Sequence, residues 1–303
     1  MTRAENPATA HGAGDAPAES ERRRNAAPAS LAPPAAHSVR RPAPWRAVLS
    51  YWLLRYRRIW PSTVVSSFLA PLLYLAGMGY GLGSLVDRPG GTAIDGVSYV
   101  AFVATGLVAA QTMMSGSAEA TYNVLAPIKW THTYHAMLAT PIRVVDVVRG
   151  HLVYILIRLT MIAVVFTTVA IALGAMNPWW APAVVVVSVL CGMGFASCTF
   201  AYAAGITDSG QGFNILQRFI IMPMFLFSGT FFPLAQLPEA LQAVAWVSPL
   251  THAVALTRAF GLGPESDWWL PPGRIAVHVA VLVVLAAIGY LLSVRRLTRR
   301  MVV

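Results

Sequence analysis

Residues 227–263 read FSGTFFPLAQLPEALQAVAWVSPLTHAVALTRAFGLG. An apolar run ends at Ser228-Gly229-Thr230-Phe231-Phe232-Pro233, and two short segments follow, each opened by a proline. Pro238-Glu239 starts the first, with an acid in its first turn. Ser248-Pro249 starts the second, which Gly261 is placed to close in the left-handed conformation. Each segment holds about 10 residues, roughly 15 Å of helix and half the thickness of a bilayer core. Both are too apolar for a water-facing loop and too short to span. A helical hairpin that dips into the membrane from one side meets both limits, because its backbone bonds internally while it packs against other helices.

The rest of the chain agrees with a membrane setting. Of 303 residues, 56% are apolar and 11% charged, which is the composition of a polytopic membrane protein. Six spans are predicted at about 61–83, 97–116, 152–173, 181–204, 216–233 and 275–293, each near the ~20 residues needed to cross. The fold class expected is an all-α integral membrane protein with the hairpin set before the last span. The net charge of +10 sits beside the ends of the apolar runs, which fits membrane flanks and argues against a nucleic-acid partner. With the N-terminus inside, fourteen basic residues flank the inner ends, against Arg88, Arg258 and Arg274 at the outer ends. That asymmetry places both termini in the cytoplasm and turns the hairpin outward.

Residues 1–43 are Ala- and Pro-rich, mixed in charge and without apolar periodicity, and read as a disordered tail preceding a membrane domain over 44–303. Residues 45–60 put Trp45, Val48, Leu49, Trp52, Leu53, Tyr56 and Trp60 within about 140° of arc, with Arg46, Ser50, Arg57 and Arg58 outside it. Two readings stand: a helix lying among the lipid headgroups, or the basic flank of the first span. Between spans two and three, Pro127 and Pro141 bracket room for about three helical turns. On such a helix Trp130, Tyr134, Met137 and Leu138 recur at i, i+4, i+7 and i+8 and share one face. Apolar side chains of that size at a loop need a protein or a membrane surface to cover them.

Side chains that could carry chemistry are sparse. Arg158 lies about 10 Å inside span three, where it must pair, line a wet cavity or snorkel; Glu119 is its acidic neighbour by depth. His132 and His135 have a spacing compatible with metal, but no nearby Cys or Asp completes a set, so no metal site is expected. Cys191 and Cys198 read as helix-packing residues. Gly77, Gly79, Gly81 and Gly83 would allow close helix contact in span one. Lys129, the single lysine, precedes Trp130, so the Gly-Lys-Ser/Thr of a phosphate-binding loop is absent and no cofactor is expected in this chain. No midplane carboxylate supports an ion-coupled secondary transporter, and no nucleophile motif supports a membrane-embedded enzyme.

Two blocks carry a resemblance. The run SGTFFP, LPEALQ and SPLTHAV…TRAFGLG resembles the closing segment of ABC-2 type exporter permeases, the membrane subunits of ATP-binding-cassette exporters. Residues 129–141, KWTHTYHAMLATP, are similar to the nodulation-type lipo-oligosaccharide branch, with daunorubicin-type drug exporter permeases more distant. The likeness covers about residues 44–298. Span two departs from it, reading Ala104-Thr105-Gly106-Leu107 where that branch is expected to carry Pro-Gly-Leu. The resemblance implies a separate ABC ATPase holding ATP and Mg, a second permease copy, a bacterial inner membrane and an amphipathic substrate moved outward. It also implies a coupling helix docked on the ATPase, falling here on Lys129, Trp130, Tyr134, His135, Met137 and Leu138. The alternative is an interfacial helix packed only on its own bundle. The hairpin would be an outer gate, with Pro233 and Pro249 shaping it and His252 and Arg258 offering polar groups near the exit.

Overall fold

The structure, a computed structural model, describes residues 43–58, 60–61, 69, 73–77, 81, 96–207 and 210–301. The expected tail and most of the expected first span at 61–83 lie outside the described residues. The described elements are helical: α1 (Pro44–Tyr56), α2 (Tyr99–Glu119), α3 (Tyr122–Lys129), α4 (Thr133–Leu138), α5 (Val144–Ala172) and α6 (Ala181–Gly205). They continue with α7 (Gln211–Leu216), α8 (Met222–Phe227), α9 (Glu239–Val247), α10 (Pro249–Leu262) and α11 (Pro272–Met301).

Among the described residues, four stretches are long and apolar enough to cross a membrane: Tyr99–Lys129, Val144–Ala172, Pro178–Gly205 and Pro272–Met301. The bent pair α9 and α10 makes a fifth if it counts as one broken span. The span expected at 216–233 takes a different form. It is α7, a π-helical turn over Gln217–Ile221 and α8, pieces of 6, 5 and 6 residues, and it stops at Phe227. Together they reach about 25 Å, at the short end of the helices of roughly 17–25 residues that cross a bilayer core.

Local signals set the helix starts. The Ser98 hydroxyl accepts from the Ala101 N–H at the head of α2, and Asp146 Oδ2 accepts from the Arg143 N–H at 3.2 Å at the head of α5. Asn177 Oδ1 accepts from Trp179 N–H at 3.0 Å just before α6. Two proline-led helices do follow the apolar run, α9 after Pro238 and α10 with Pro249 in its first turn. They do not fold back as a hairpin. The two axes meet at 86°, an elbow. α9 buries only Ala245 and leaves Val244, Trp246 and Val247 exposed, whereas α10 is buried along most of its length. An arm with one buried residue has little apolar packing along its length, and it is tied to α10 at its last turn, where Thr251 Oγ1 donates to Ala245 O. Gly263, with φ +87°, ends α10; Gly261 remains helical, against the sequence expectation.

α6 is apolar around its whole circumference and packs against α2, α5, α10 and α11. Small residues let the backbones approach. A Cβ on Gly192 would meet the Thr112 carbonyl oxygen at 2.8 Å, and one on Gly194 would meet Leu285 at 2.8 Å. The close approach allows hydrogen bonds between helices: Thr112 Oγ1 donates to Ser188 O at 2.8 Å, Ser293 Oγ donates to Ser197 O at 2.8 Å, and Ser117 and Thr199 share a hydrogen at 3.2 Å. Cys191 is buried in this core and both cysteines are free thiols. Of the span-one glycines, Gly79 and Gly83 lie outside the described residues, and a Cβ at Gly77 or Gly81 meets nothing within 4 Å among the described residues.

α11 meets α6 along one stripe, His278, Leu282, Gly289, Ser293 and Leu297, and turns Val283, Val284, Ile288 and Leu291 outward. At its end Arg300 donates to the carbonyls of Ala204, at 3.0 Å, and of Ile206, and Arg296 lies beside Ala201 O at 3.5 Å. These arginines satisfy the terminal carbonyls of α6 and face the negative end of its dipole.

Gly289→Leu should therefore destabilise the protein by about 1–3 kcal/mol, because its side chain must enter the space held by Ser197 and the Cys198 backbone. Gly273→Ala, where nothing lies within 4 Å, serves as the neutral control. Thermal melting of the two variants in detergent measures the difference; equal melting temperatures would refute the close approach.

Candidate functional site

Polar and aromatic groups gather at three levels between the end of the bundle carrying α1 and the end carrying the elbow. At the α1 end, the segment 129–141 is not one helix. Pro127 lies inside α3 rather than bracketing the segment, α3 stops at Lys129, and His132 at φ +50° reverses the chain before α4. The break turns the expected shared face two ways. Trp130 is 52% exposed and stacks on Tyr122, with ring centroids 6.2 Å apart. Tyr134 is fully buried, its hydroxyl bonded to Nδ1 of His151.

Burial, with Tyr51 nearby, pushes the Tyr134 phenol well above its ordinary pKa, so it stays protonated. The phenol and Nδ1 therefore share one hydrogen bond in the dry interior. His151 in turn stacks on Trp52 at 4.0 Å. Tyr134, His151 and Trp52 thus tie α4, α5 and α1 into one block. Met137 and Leu138 are partly buried against the same core, while His135 is exposed and Lys129 Nζ donates to Thr207 O at 3.1 Å.

α1 follows the same logic. Val48 and Trp52 face inward, with Val48 against Gly150 of α5, and Leu53, Leu54, Arg57 and Arg58 face out. Trp45 is half-buried and Arg46 lies 5.5 Å from the centre of its ring. The buried stripe is narrower than the arc expected from the sequence, because only residues facing α5 have a partner.

In the middle, Arg158 Nη2 donates to Glu119 Oε1 at 2.7 Å, the pairing expected from depth. Asn123 Nδ2 donates to Glu119 Oε2 at 2.9 Å, and the Arg158 guanidinium lies 4.7 Å from the centre of the Tyr56 ring. α1, α2, α3 and α5 therefore share one buried polar cluster.

At the elbow end, Arg258 is buried, at 4% exposed. Its Nη2 donates to Gly229 O at 2.9 Å and to Phe102 O at 3.2 Å, and its plane sits 3.6 Å from the centre of the Phe102 ring and 5.0 Å from that of Trp268. Gly229 takes φ +80°, a conformation that suits glycine in the turn that presents this carbonyl. Gly106 is required by close approach: a Cβ there would meet Thr230 Cα at 3.0 Å and Arg258 at 3.3 Å. One residue earlier, Thr105 packs against Gly261. The Ala104-Thr105-Gly106-Leu107 run of α2 is thus the seat of the elbow.

Ser228 and Ser248 hydroxyls lie 2.9 Å apart, and Thr251 Oγ1 donates to Ala245 O at 2.6 Å, which holds the bend. His252 and His278 face each other through their Nδ1 atoms at 2.6 Å. Pro233 and His252 line a cavity of 720 Å³ that also receives Arg258, and Pro249 lines a separate apolar groove of 380 Å³ beside α8. Phe102, Trp268, Arg274 and His278 are members of this site that sequence reasoning did not single out. The signal for His278 was its place on the one inward stripe of α11. Among the described residues, no three of His, Cys, Asp and Glu come together as metal ligands.

Residues 44–260 match the family model described as ABC-2 type transporter. Similar proteins include Nodulation protein J of Rhizobium meliloti (strain 1021), 31% identical over 259 residues covering 85% of this chain and 94% of the relative. Nodulation protein J of Rhizobium leguminosarum bv. trifolii is 32% identical, covering 82% of this chain and 94% of its own length. The Inner membrane transport permease YadH of Escherichia coli (strain K12) is 23% identical, covering 72% and 84% respectively.

Removing either partner of the middle ion pair leaves the other charge buried and alone. Arg158→Leu and Glu119→Leu are each expected to destabilise the protein by about 3 kcal/mol, and the double variant should recover more than half of the summed loss. A double-mutant cycle on melting temperature in detergent measures this. Additive losses would mean that the two charges do not depend on each other.

Proposed function

The chain belongs to the ABC-2 type transporter family, and on that premise we propose that it is the membrane-spanning permease subunit of an ATP-driven exporter in a bacterial inner membrane. Its substrate is lipid-linked, a glycolipid or another amphipathic molecule, moved outward. ATP and Mg belong to a separate ABC ATPase, a partner that the family implies. A second permease copy completes the pathway, both termini are cytoplasmic, and six spans carry the chain across, with the elbow on the outer side as a gate. The likeness of residues 129–141 to the nodulation-type lipo-oligosaccharide branch suggests this class of substrate, and relatives named Nodulation protein J agree with that branch.

The observation that carries the reading is the half-exposed Trp130 beside the buried block of Tyr134, His151 and Trp52. A permease that hydrolyses no nucleotide receives force through a contact, and that contact has to be seated on something stiff. Trp130 offers a large apolar side chain to a partner groove. The block behind α4 passes displacement directly to α5 and α1, and through α5 to Arg158 and Glu119. Lys129 and His135 frame the contact with polar groups, while Met137 and Leu138 hold α4 to the bundle. Within the coupling set, Tyr134 is then a positioning residue and Trp130 the anchor.

The two roles separate experimentally. Trp130→Ala should weaken ATPase recruitment by about 2 kcal/mol, roughly thirtyfold, and lower ATP-driven export without changing the melting temperature of the isolated permease. Tyr134→Phe should lower the melting temperature by removing the hydroxyl that is hydrogen-bonded to a buried imidazole, a loss of about 1–3 kcal/mol. Co-purification of the ATPase, export in vesicles and detergent melts read the three quantities. Wild-type recruitment and export by Trp130→Ala would falsify the coupling role.

A further inference from the structure

Among the described residues two arginines are buried, and the chain treats them differently. Arg158 has a carboxylate at 2.7 Å. Arg258 is buried more deeply and has no acidic partner among the described residues. Its Nη2 is held by two carbonyls, its face by Phe102 and Trp268, and its Nε has no hydrogen-bond partner. Carbonyl dipoles and ring faces attract a cation, yet none supplies the unit of negative charge that a desolvated guanidinium calls for.

The cavity beside it has the same imbalance. Arg258, Arg274, His252 and His278 line its 720 Å³, and among the described residues no Asp or Glu does. Glu265 and Asp267, the acids of the adjoining loop, are exposed and outside the lining. The imidazoles are engaged with each other through Nδ1, and His252 Nε2 faces Trp246 O at 3.2 Å, so the two guanidinium groups carry the charge. Trp246, Trp268 and Leu234 make the remainder of the wall apolar. An oxyanion attached to an apolar body matches both parts of this lining. Guanidinium groups favour phosphate because their planar donors match its oxygens, and indole rings cover apolar chain at low entropic cost.

We propose that the elbow cavity is a binding site for the phosphate group of an amphipathic ligand, with Arg258 and Arg274 as its counter-charges and Trp246 and Trp268 against its apolar part. The phosphate could arrive on a membrane lipid headgroup or free in solution, and the recognition chemistry is the same for both. This deepens the reading of an exporter of amphipathic molecules and rests on it only for how the ligand reaches the cavity.

The test uses the full chain in nanodiscs and needs neither ATPase nor transport. Its failure would therefore leave the Trp130 experiment, and the transport reading, standing. Melting temperature is measured in discs of a phosphate-free diacyl glycolipid alone, in such discs also containing phosphatidic acid, and in the glycolipid discs with inorganic phosphate in the buffer. The wild-type protein is expected to melt higher with phosphatidic acid, by the linkage of binding to folding. Arg274→Gln, an exposed position that leaves the fold intact, should weaken the apparent affinity roughly tenfold. Arg258→Gln should abolish the shift; if that variant does not fold, Arg274→Gln and Arg274→Glu carry the test, the latter losing the shift entirely. A shift from inorganic phosphate that Arg274→Gln also removes assigns the site to free phosphate, and a shift from phosphatidic acid alone assigns it to lipid. No shift in the wild type, or an equal shift in the wild type and both Arg274 variants, overturns the proposal.

Discussion

The close approach of α6 to α2 and α11 is the contact on which the rest of the bundle depends. A helix without a polar face needs partners on every side, and in a lipid setting tight packing and backbone satisfaction provide them, because apolar side chains gain little by leaving lipid. Gly192, Gly194 and Gly289 remove the Cβ atoms that would hold the backbones apart. Thr112, Ser293 and the Ser117–Thr199 pair then bond across the seam. Arg296 and Arg300 of α11 reach the last carbonyls of α6, so the same helix pair forms both the core and its closed end.

Against this frame, two groups of moving parts are attached through buried cations. Arg158 with Glu119 joins α5 to α2, and its contact with Tyr56 brings in α1. Arg258 fastens α10 to the carbonyls of α2 and of the turn at Gly229. Gly106 and Gly261 supply the room for that docking. The elbow and the start of α2 are therefore mechanically one unit, and displacement of either disturbs the same guanidinium. A link of this kind suits a gate whose position must follow the helices behind it.

The pairing of Arg158 with Glu119 was legible because both residues sit at similar depth on adjoining spans, and few other charges were available. The proline-led starts of α9 and α10 were legible because capping is local chemistry. The face assigned to Trp130 and Tyr134 was not. An i, i+4 relation holds only on an unbroken helix, and His132 in the left-handed region breaks this one. The partner that draws Tyr134 inward, His151, lies seventeen residues along the chain on another helix.

Membrane class, the apolar stretches, the helix starts and the proline break before the last helix were determined by the sequence itself, since each rests on backbone preferences and on transfer between water and lipid within a few residues. The 86° bend, the burial of Arg258 under Phe102 and Trp268, the inward turn of Tyr134 and the facing imidazoles of His252 and His278 were decided by the tertiary structure alone. In each of these cases the deciding group comes from a different helix. A side chain's own stretch of sequence fixes the helix it stands on, but the direction in which that helix finds its neighbours is set by packing across the whole bundle.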